Sequence, residues 1–597
     1  MAALSTRTGL TVPNEPIITD AKNSCWTHLY GLGTFGDLFT PRQMLCLLTF
    51  ATAMRDAGKK MQDLALRREA LQAVLVVLAS SVDKLAALNC SLTRWKIDAE
   101  LCVDAFGRQA LPMVWDFAEQ VAYSGIGGSW QSQVARSIEG LNDCWKITNT
   151  AIVIRGSATA SPWPDAFMDA VITDPPYYDN VPYADISDFF YVWLKRTVGY
   201  LYPEHFATAG TPKKQEAVAD AMRHGGSKEK AQRAYEEMMA QSFREAHRVL
   251  KPGGALVVVY AHKTTLGWST LVDALRQAGF VVAEAWPLDT EMKSRLRGME
   301  SAALASSIFL VARKRNGQEK GQYETDVRPE LERIVRERVS TLWEMGVSGA
   351  DLVIACVGAG LRAFTRFARV EYANGEPVPA VRFLSEVESV VLDQILARLS
   401  KEVGGNGGRH SLAGVDPATQ FYILWRYTYR TAELDAGEAI VFANGTHVEL
   451  DGQGSLAYGP RALVEKKKGK YRLRDFRERG EEDKLGLPVD NGSPAPLIDA
   501  LHRTLWLLRN SSFDLPDFLR KSGVNREQMR LVAQALAGPA LKGGELGEIS
   551  PTGELSALSE ITANWRSVIE DVTLMPLERE ARRTGQKILD FEKEKKK

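Results

Sequence analysis

The stretch Ala170-Val171-Ile172-Thr173-Asp174-Pro175-Pro176-Tyr177 decides how this chain is read. Its first three residues are an apolar run that predicts a buried strand ending at Thr173. The two prolines that follow lock φ and carry no N–H. The segment beyond the strand is therefore a stiff loop, and its carbonyls point where the backbone sets them.

Working outward, Tyr235, Met238, Met239, Phe243, Ala246, Val249 and Leu250 recur at helical spacing, and Lys251-Pro252-Gly253-Gly254 stops that helix. Residues 255–260 then read as a continuous apolar strand of the kind buried in a parallel sheet. A helix over 268–279, a strand over 280–286 and a last strand over 307–312 give the tail of a doubly wound α/β sheet. His262 and Lys263 follow a strand's C-terminal end, the edge at which such sheets bind ligands. Upstream, residues 151–155 predict another strand, followed by Gly156-Ser157-Ala158. Earlier still, Gly36-Asp37-Leu38-Phe39-Thr40-Pro41-Arg42 opens an amphipathic helix with Thr40 as cap and Pro41 at its first position. Gly31 to Gly36 is a literal G-x-G-x-x-G, but no strand precedes it and Asp56 follows a helix, so it reads as a flexible entry to that helix.

A strand that ends in Asp-Pro-Pro-Tyr resembles the catalytic loop of amino-methyltransferases, which move a methyl group from S-adenosylmethionine to an exocyclic nitrogen of a base. The longer run Asp174-Pro-Pro-Tyr-Tyr-Asp179-Asn180-Val-Pro-Tyr183-Ala-Asp185-Ile-Ser-Asp188-Phe-Phe-Tyr-Val-Trp193-Leu-Lys195 is similar to a family of large prokaryotic adenine-specific DNA methylases. That family carries an N-terminal domain of unknown function and is often found near phage-defence genes. The similarity runs from about Phe35 to about Gly538, and this chain resembles the family's C-terminal part. The resemblance implies catalytic roles for Asp174, Pro175, Pro176 and Tyr177. The Asp174 carboxylate and the Pro175 carbonyl would accept the hydrogens of an amine whose lone pair is delocalised into the ring, and preorganised acceptors cost no reorganisation during reaction. Tyr177, assisted by Tyr178, would offer a π-face to a base swung out of the duplex. Phe39, Thr40 and Pro41 resemble the segment that wraps the methionine end of the cofactor, and Gly156 and Ser157, with Asp174, complete the implied cofactor contacts. The family commonly has an Asp where Ser157 stands, which weakens that contact to a hydroxyl. DNA methylation in a host-modification or phage-defence system is the function so implied.

Methyltransferases of this fold order their strands 3-2-1-4-5-7-6. Counting from residue 151, this chain offers strands 3 to 7, while strands 1 and 2, with the Gly-rich cofactor turn, have no candidate before Asp174. The expectation is a Rossmann-like methyltransferase sheet lacking its central pair in this chain. A gap there leaves backbone groups unpaired. A protein partner supplying the missing half would fill it. Two alternatives stand beside that one: a permuted order, with residues 352–357 and the Gly358-Ala-Gly360 turn as strand 1 and residues 369–372 bearing Glu371 as strand 2, or a non-catalytic DNA-binding scaffold that has lost the cofactor site.

Six cysteines without a C-x-x-C pair argue against a zinc ribbon or a disulfide framework, and no metal is expected. The N-terminus lacks a signal h-region and no membrane-spanning stretch is read, so a cytoplasmic protein is expected. With 74 basic and 74 acidic residues, only local clusters suggest a polyanion partner. Lys467, Lys468 and Arg472 lie in a basic run interleaved with Tyr471 and Phe476, and Lys213 and Lys214 lie in a long segment, 197–230, beside the expected loop; these are the candidate DNA contacts. Three regions are expected: a helical 1–147 with the Thr-Pro segment, a catalytic 148–315, and a mostly helical 316–597 that contacts DNA or a partner.

Overall fold

The computed structural model describes residues 6, 9–19, 25–64, 66–97, 100–103, 105–106, 110–125, 127–144, 149, 151–176, 181–260, 265–288, 307–317, 319–347, 349–402, 411–467, 469–488, 493–538 and 553–571. The fold is mixed α/β, 53% helical, with a mixed sheet of four strands. It forms two compact units, Met1–Ser161 with Pro176–Met239, and Pro162–Pro175 with Ala240–Lys597. The chain thus passes from the second unit into the first between Pro175 and Pro176, inside the segment read as catalytic.

The first unit holds α1 (Pro41–Asp63), α2 (Arg68–Leu88), an antiparallel pair β1 (Arg94–Lys96) and β2 (Leu101–Val103), α3 (Trp130–Cys144), α4 (Tyr183–Thr197) and the first half of α5 (Lys228–Val249). α1 starts as expected: Thr40 caps it in a reciprocal box with Gln43, and Pro41 occupies the first turn. Leu47, Leu48 and Ala51 of α1, Leu85 and Ala86 of α2, and Phe189, Val192 and Trp193 of α4 share one core. α2 is long and apolar enough to cross a membrane, yet it buries Leu75, Ala79 and Val82 within this fold. Arg196, near the end of α4, is almost fully buried; it donates to both carboxylate oxygens of Glu15, at 3.0 Å each, and to the carbonyls of Thr11 and Val12, which ties residues 9–19 to that helix.

The second unit is built on β3 (Met168–Thr173), β4 (Leu250–Tyr260), β5 (Phe280–Leu288) and β6 (Ser307–Lys314), in the order β3-β4-β6-β5. β3 and β4 are parallel, and β6 runs antiparallel to both of its neighbours. α6 (Thr265–Gln277) lies between β4 and β5 in sequence. One face of the sheet is fully buried through Leu256, Val258, Tyr260, Ile308, Leu310 and Ala312. β3, expected to be buried, is the edge of the sheet, and Ile172 is 73% exposed. Residues 151–155 form no strand; Val153 is 90% exposed, and the first unit, to which they belong, offers among its described residues no sheet beyond the β1–β2 pair for them to join. Gly156 and Ser157 follow as an exposed turn.

The permuted arrangement is overturned here. After β7 (Lys320–Gln322) and α7 (Arg328–Glu344), residues 352–357 lie in a helix, α8 (Gly349–Thr365); β8 (Arg369–Glu371) pairs in parallel with β7, and its Glu371 bridges Pro377; and α9 (Ala380–Glu402) follows. Gly358 and Gly360 serve packing. A Cβ on Gly358 would sit 2.7 Å from the Cβ of Ala285 on β5, and one on Gly360 would sit 2.8 Å from Leu331 of α7 and Val387 of α9.

The rest of the unit comprises α10 (Pro417–Tyr429), β9 (Leu434–Asp435), α11 (Ala436–Gly445), the hairpin β10 (Val464–Lys467) and β11 (Lys470–Leu473), α12 (Phe476–Arg479), α13 (Leu497–Asn510), α14 (Leu515–Lys521), α15 (Arg526–Ala537) and α16 (Glu554–Ala563). A buried polar network joins four of these helices, α10, α12, α13 and α16. Glu554 accepts from the Tyr422 hydroxyl at 2.6 Å, from Arg426 and from His502 Nε2 at 3.0 Å; Arg479 lies 3.3 Å from His502 Nδ1 and donates to Asp499 at 2.6 Å. Burial pushes the Glu554 carboxyl up, but Arg426, His502 and Tyr422 outweigh it and hold the group at about 2. Burial lowers the pKa of His502, so the imidazole is neutral, with Nε2–H facing Glu554 and Nδ1 facing Arg479. Because the folded pKa of Glu554 lies below its ordinary 4.5, its contribution is complete above that pH and is lost as pH falls toward 2. His502, depressed below 6.5, likewise costs stability as pH falls from 6.5. Urea unfolding is therefore expected to show the second unit weakening from about pH 6.5 downward. Glu554→Ala, which leaves Arg426 buried without an anion, should lower stability by about 3–5 kcal/mol at neutral pH; a loss under 1 kcal/mol would contradict the network's role.

Candidate functional site

Asp174 and Pro175 close β3, whose last ladder pair is Thr173 with Val258. Asp174 is exposed and Pro175 is buried. Pro176, the first residue of the segment that returns to the first unit, offers its carbonyl to the Tyr235 hydroxyl at 2.7 Å. Tyr177 and Tyr178 lie outside the described residues, as do His262, Lys263 and Lys468.

α4 begins three residues after that gap, and two of its acids are buried. Asp185 and Asp188 sit three apart in the helix whose face carries Phe189, Val192 and Trp193 into the core. A buried carboxylate needs partners, and the segment between α4 and α5 supplies them. Asp188 accepts from Thr211 N and Thr211 Oγ1 at 2.7 Å each and from Lys213 Nζ at 2.6 Å. Arg223 lies 3.0 Å from Asp185, and it donates to Glu216 at 2.6 Å. Glu216 in turn accepts from Ala184 N at 2.9 Å, in the first turn of α4. Burial raises the pKa of Asp185, with Arg223 and Lys213 opposing. For Arg223 burial works against the charge, but Glu216 and Asp185 prevail and hold the guanidinium above its ordinary value. The segment 197–230, which carries the candidate DNA contacts Lys213 and Lys214, is folded back on α4 by these pairs.

The residues expected to hold the cofactor are committed elsewhere in the first unit. The Phe39 ring is 7% exposed and packs on Phe189 and Trp193, with ring centres 5.9 and 5.3 Å apart. Thr40 Oγ1 accepts from Gln43 N and donates to Glu119 at 2.7 Å, while Arg42 donates to the other oxygen of Glu119. The bonds from Arg42 and Thr40 lower the pKa of Glu119. Pro41 is the first residue of α1. Ser157 lies 2.7 Å from Thr159 Oγ1 in the exposed turn. These groups bring the Thr-Pro segment against the helix that follows Asp-Pro-Pro-Tyr, but they do not by themselves make a cradle for S-adenosylmethionine among the described residues.

The basic candidates divide by what already neutralises them. Lys213 is matched by Asp188. Arg472 is matched by Glu465 and by Glu478 at 2.6 Å. Lys466 pairs with Asp451 at 2.9 Å. Tyr471 and Phe476 are buried, so neither ring presents a face for stacking. Lys214 and Lys467 are exposed. The missed groups are Tyr235 and Glu216, while Arg223, a basic residue of the segment read as contacting DNA, is instead spent on Asp185 and Glu216; two acids on an otherwise apolar helix face, followed by a basic segment, were the signal for that pairing.

Comparison with known protein families, with curated proteins and with solved structures finds no match to this chain.

Lys213→Ala leaves Asp188 buried without its cation and is expected to lower stability by about 2–3 kcal/mol, whereas Lys214→Ala should change it by less than about 0.5 kcal/mol. Thermal unfolding of the two variants in parallel checks this, and equal effects would mean that the Lys213–Asp188 pair does not hold the segment.

Proposed function

We propose that this chain is the catalytic part of an S-adenosylmethionine-dependent DNA methyltransferase acting on the exocyclic amine of a flipped-out base, N6 of adenine by the resemblance, with a partner polypeptide completing the sheet. One observation carries the reading. The strand that ends in Asp174-Pro175 is the outer member of a sheet ordered β3-β4-β6-β5, which corresponds to 4-5-7-6, the second half of the order such enzymes use. The Rossmann-like assignment is this proposal's, and it extends beyond the four strands seen. The open edge of β3 faces the side on which strands 1, 2 and 3 would continue, and the exposure of Ile172 favours a missing neighbour.

In this reading Asp174 and the Pro175 carbonyl accept the hydrogens of the amine, drawing its lone pair out of conjugation with the ring. Bound S-adenosylmethionine would supply the electrophilic methyl group. The Gly-rich turn that holds the cofactor would come from the partner, since Phe39, Thr40 and Ser157 make other bonds within the first unit. Those commitments are also what favours a second reading, a scaffold subunit that binds DNA without catalysis.

Asp174→Ala is expected to lower methyl transfer a hundredfold to a thousandfold, on the order of 3–4 kcal/mol, with DNA binding retained. The check is tritium transfer to DNA by the complex isolated from its host. Wild-type turnover in the variant would sink the assignment. The purified chain alone should bind S-adenosylmethionine only weakly in a calorimetric titration, and adding the missing half should both restore binding and raise the unfolding temperature. Micromolar binding by the chain alone would contradict the split, and absence of binding with the partner present would favour the scaffold.

A further inference from the structure

Basic side chains gather where β6 ends. Because β6 runs antiparallel to β4, its last residue, Lys314, which pairs with Phe280, lies at the end of the sheet opposite to that at which β3 delivers Asp174. Arg315 follows. Its guanidinium donates to the carbonyls of Arg276 at 3.2 Å and Thr365 at 3.4 Å, in the last turns of α6 and α8, and so closes the C-terminal ends of two helices at once. It also reaches the Phe367 carbonyl at 3.5 Å, which brings Arg366, between its two acceptors, to the same place. Arg362 lies one turn earlier on α8. His247, in the last turn of α5, faces the turn before β5: a Cβ on Gly279, whose φ is +86°, would sit 3.3 Å from its Nε2.

Little negative charge meets these cations. Asp273 is taken by Arg276 at 3.1 Å, and Glu330, which feels Arg362 and Arg366, is bonded through both oxygens by Arg333 at 2.8 Å. Arg315 is spent on carbonyls. Among the described residues Lys314, Arg362, Arg366 and His247 make no ion pair and no side-chain hydrogen bond. Arg362 and Arg366 are exposed, and Lys314 and His247 are half-buried. Burial, with Lys314 and Arg315 beside it, holds the His247 pKa below its ordinary 6.5, the direction expected where cations crowd without an acid. An anion is the group that relieves this crowding. A side-chain carboxylate would meet one or two of these groups, whereas phosphate oxygens accept from several guanidinium and ammonium donors at once.

We propose that this end of the sheet binds phosphate groups, with Arg315 as the fixed charge and Lys314, Arg362 and Arg366 as the groups that reach the ligand. The phosphates belong to a nucleic-acid backbone or to a free phosphorylated molecule, and the two sources share this chemistry. The inference does not rest on the methyltransferase reading, since the surface lies at the other end of the strands from Asp174.

The test compares the double variant Lys314→Gln, Arg366→Gln in the full chain with wild type and with Lys466→Gln, which removes a cation already paired with Asp451. Arg315 stays in place because its bonds to α6 and α8 hold the fold. Binding of a labelled DNA duplex is followed by fluorescence anisotropy across a salt series, and binding of pyrophosphate by calorimetric titration. Loss of two phosphate contacts should weaken duplex binding at least about tenfold at low salt and reduce the slope of log K against log salt by about 2, with Lys466→Gln within about twofold of wild type. Unchanged duplex binding with pyrophosphate binding weakened at least about tenfold keeps the site and assigns it to a free phosphorylated ligand. Both unchanged in the double variant, an equal loss in Lys466→Gln, or a wild type that binds neither probe overturns the proposal. Asp174→Ala should bind both probes as the wild type does, so failure of methyl transfer and failure of this surface are read separately.

Discussion

Among the described residues β3 bonds to the sheet on one side only, through its parallel ladder with β4. That open edge is the constraint on which the rest of the second unit's chemistry depends. A parallel strand is ordinarily flanked and covered on both faces, and natural edges are blunted by charge, proline or a covering element. Along Met168-Asp-Ala-Val-Ile-Thr173 the one charged residue, Asp169, is already engaged by Lys251 at 2.7 Å. The middle of the strand carries no such guard. The proposed partner polypeptide is the answer this account gives to that apolar, unguarded edge with its stiff proline pair.

The first unit is governed by a different requirement, the neutralisation of two acids inside an aromatic core. Asp185 and Asp188 draw Arg223 and Lys213 inward, so the segment between α4 and α5 is structural before it is anything else. The same logic removes Arg472 and Lys466 from the surface charge in the second unit. With a net charge of zero and these cations matched, contact with a polyanion would fall to the exposed lysines that remain, Lys214 and Lys467 among them, and would be strongly salt-dependent.

Helices were legible where periodicity and caps agreed. The helical spacing from Tyr235 to Val249 falls within α5, and Thr40-Pro41 starts α1 as capping chemistry dictates. The strands at 255–260, 280–286 and 307–312 were legible because each is a short, largely apolar run. Residues 151–155 have the same composition and form no strand, because pairing depends on a neighbour that composition cannot report. Gly358-Ala-Gly360 was ambiguous for the opposite reason: glycines that permit a turn also permit a helix to approach a sheet closely, and only the 2.7 Å approach to Ala285 decides between them. At the site, Asp174 and the prolines were readable from the motif. The Tyr235 bond was not, since 59 residues separate its partners and Tyr235 occupies an ordinary core position of an amphipathic helix.

Nucleoside analysis by mass spectrometry tests the central claim most directly. Genomic DNA from host cells that carry the intact chain is compared with DNA from otherwise identical cells lacking it. The account predicts a methylated base, N6-methyladenine, present in the first and absent from the second. Identical base composition in the two, under conditions in which the chain is expressed with its natural partners, would contradict it.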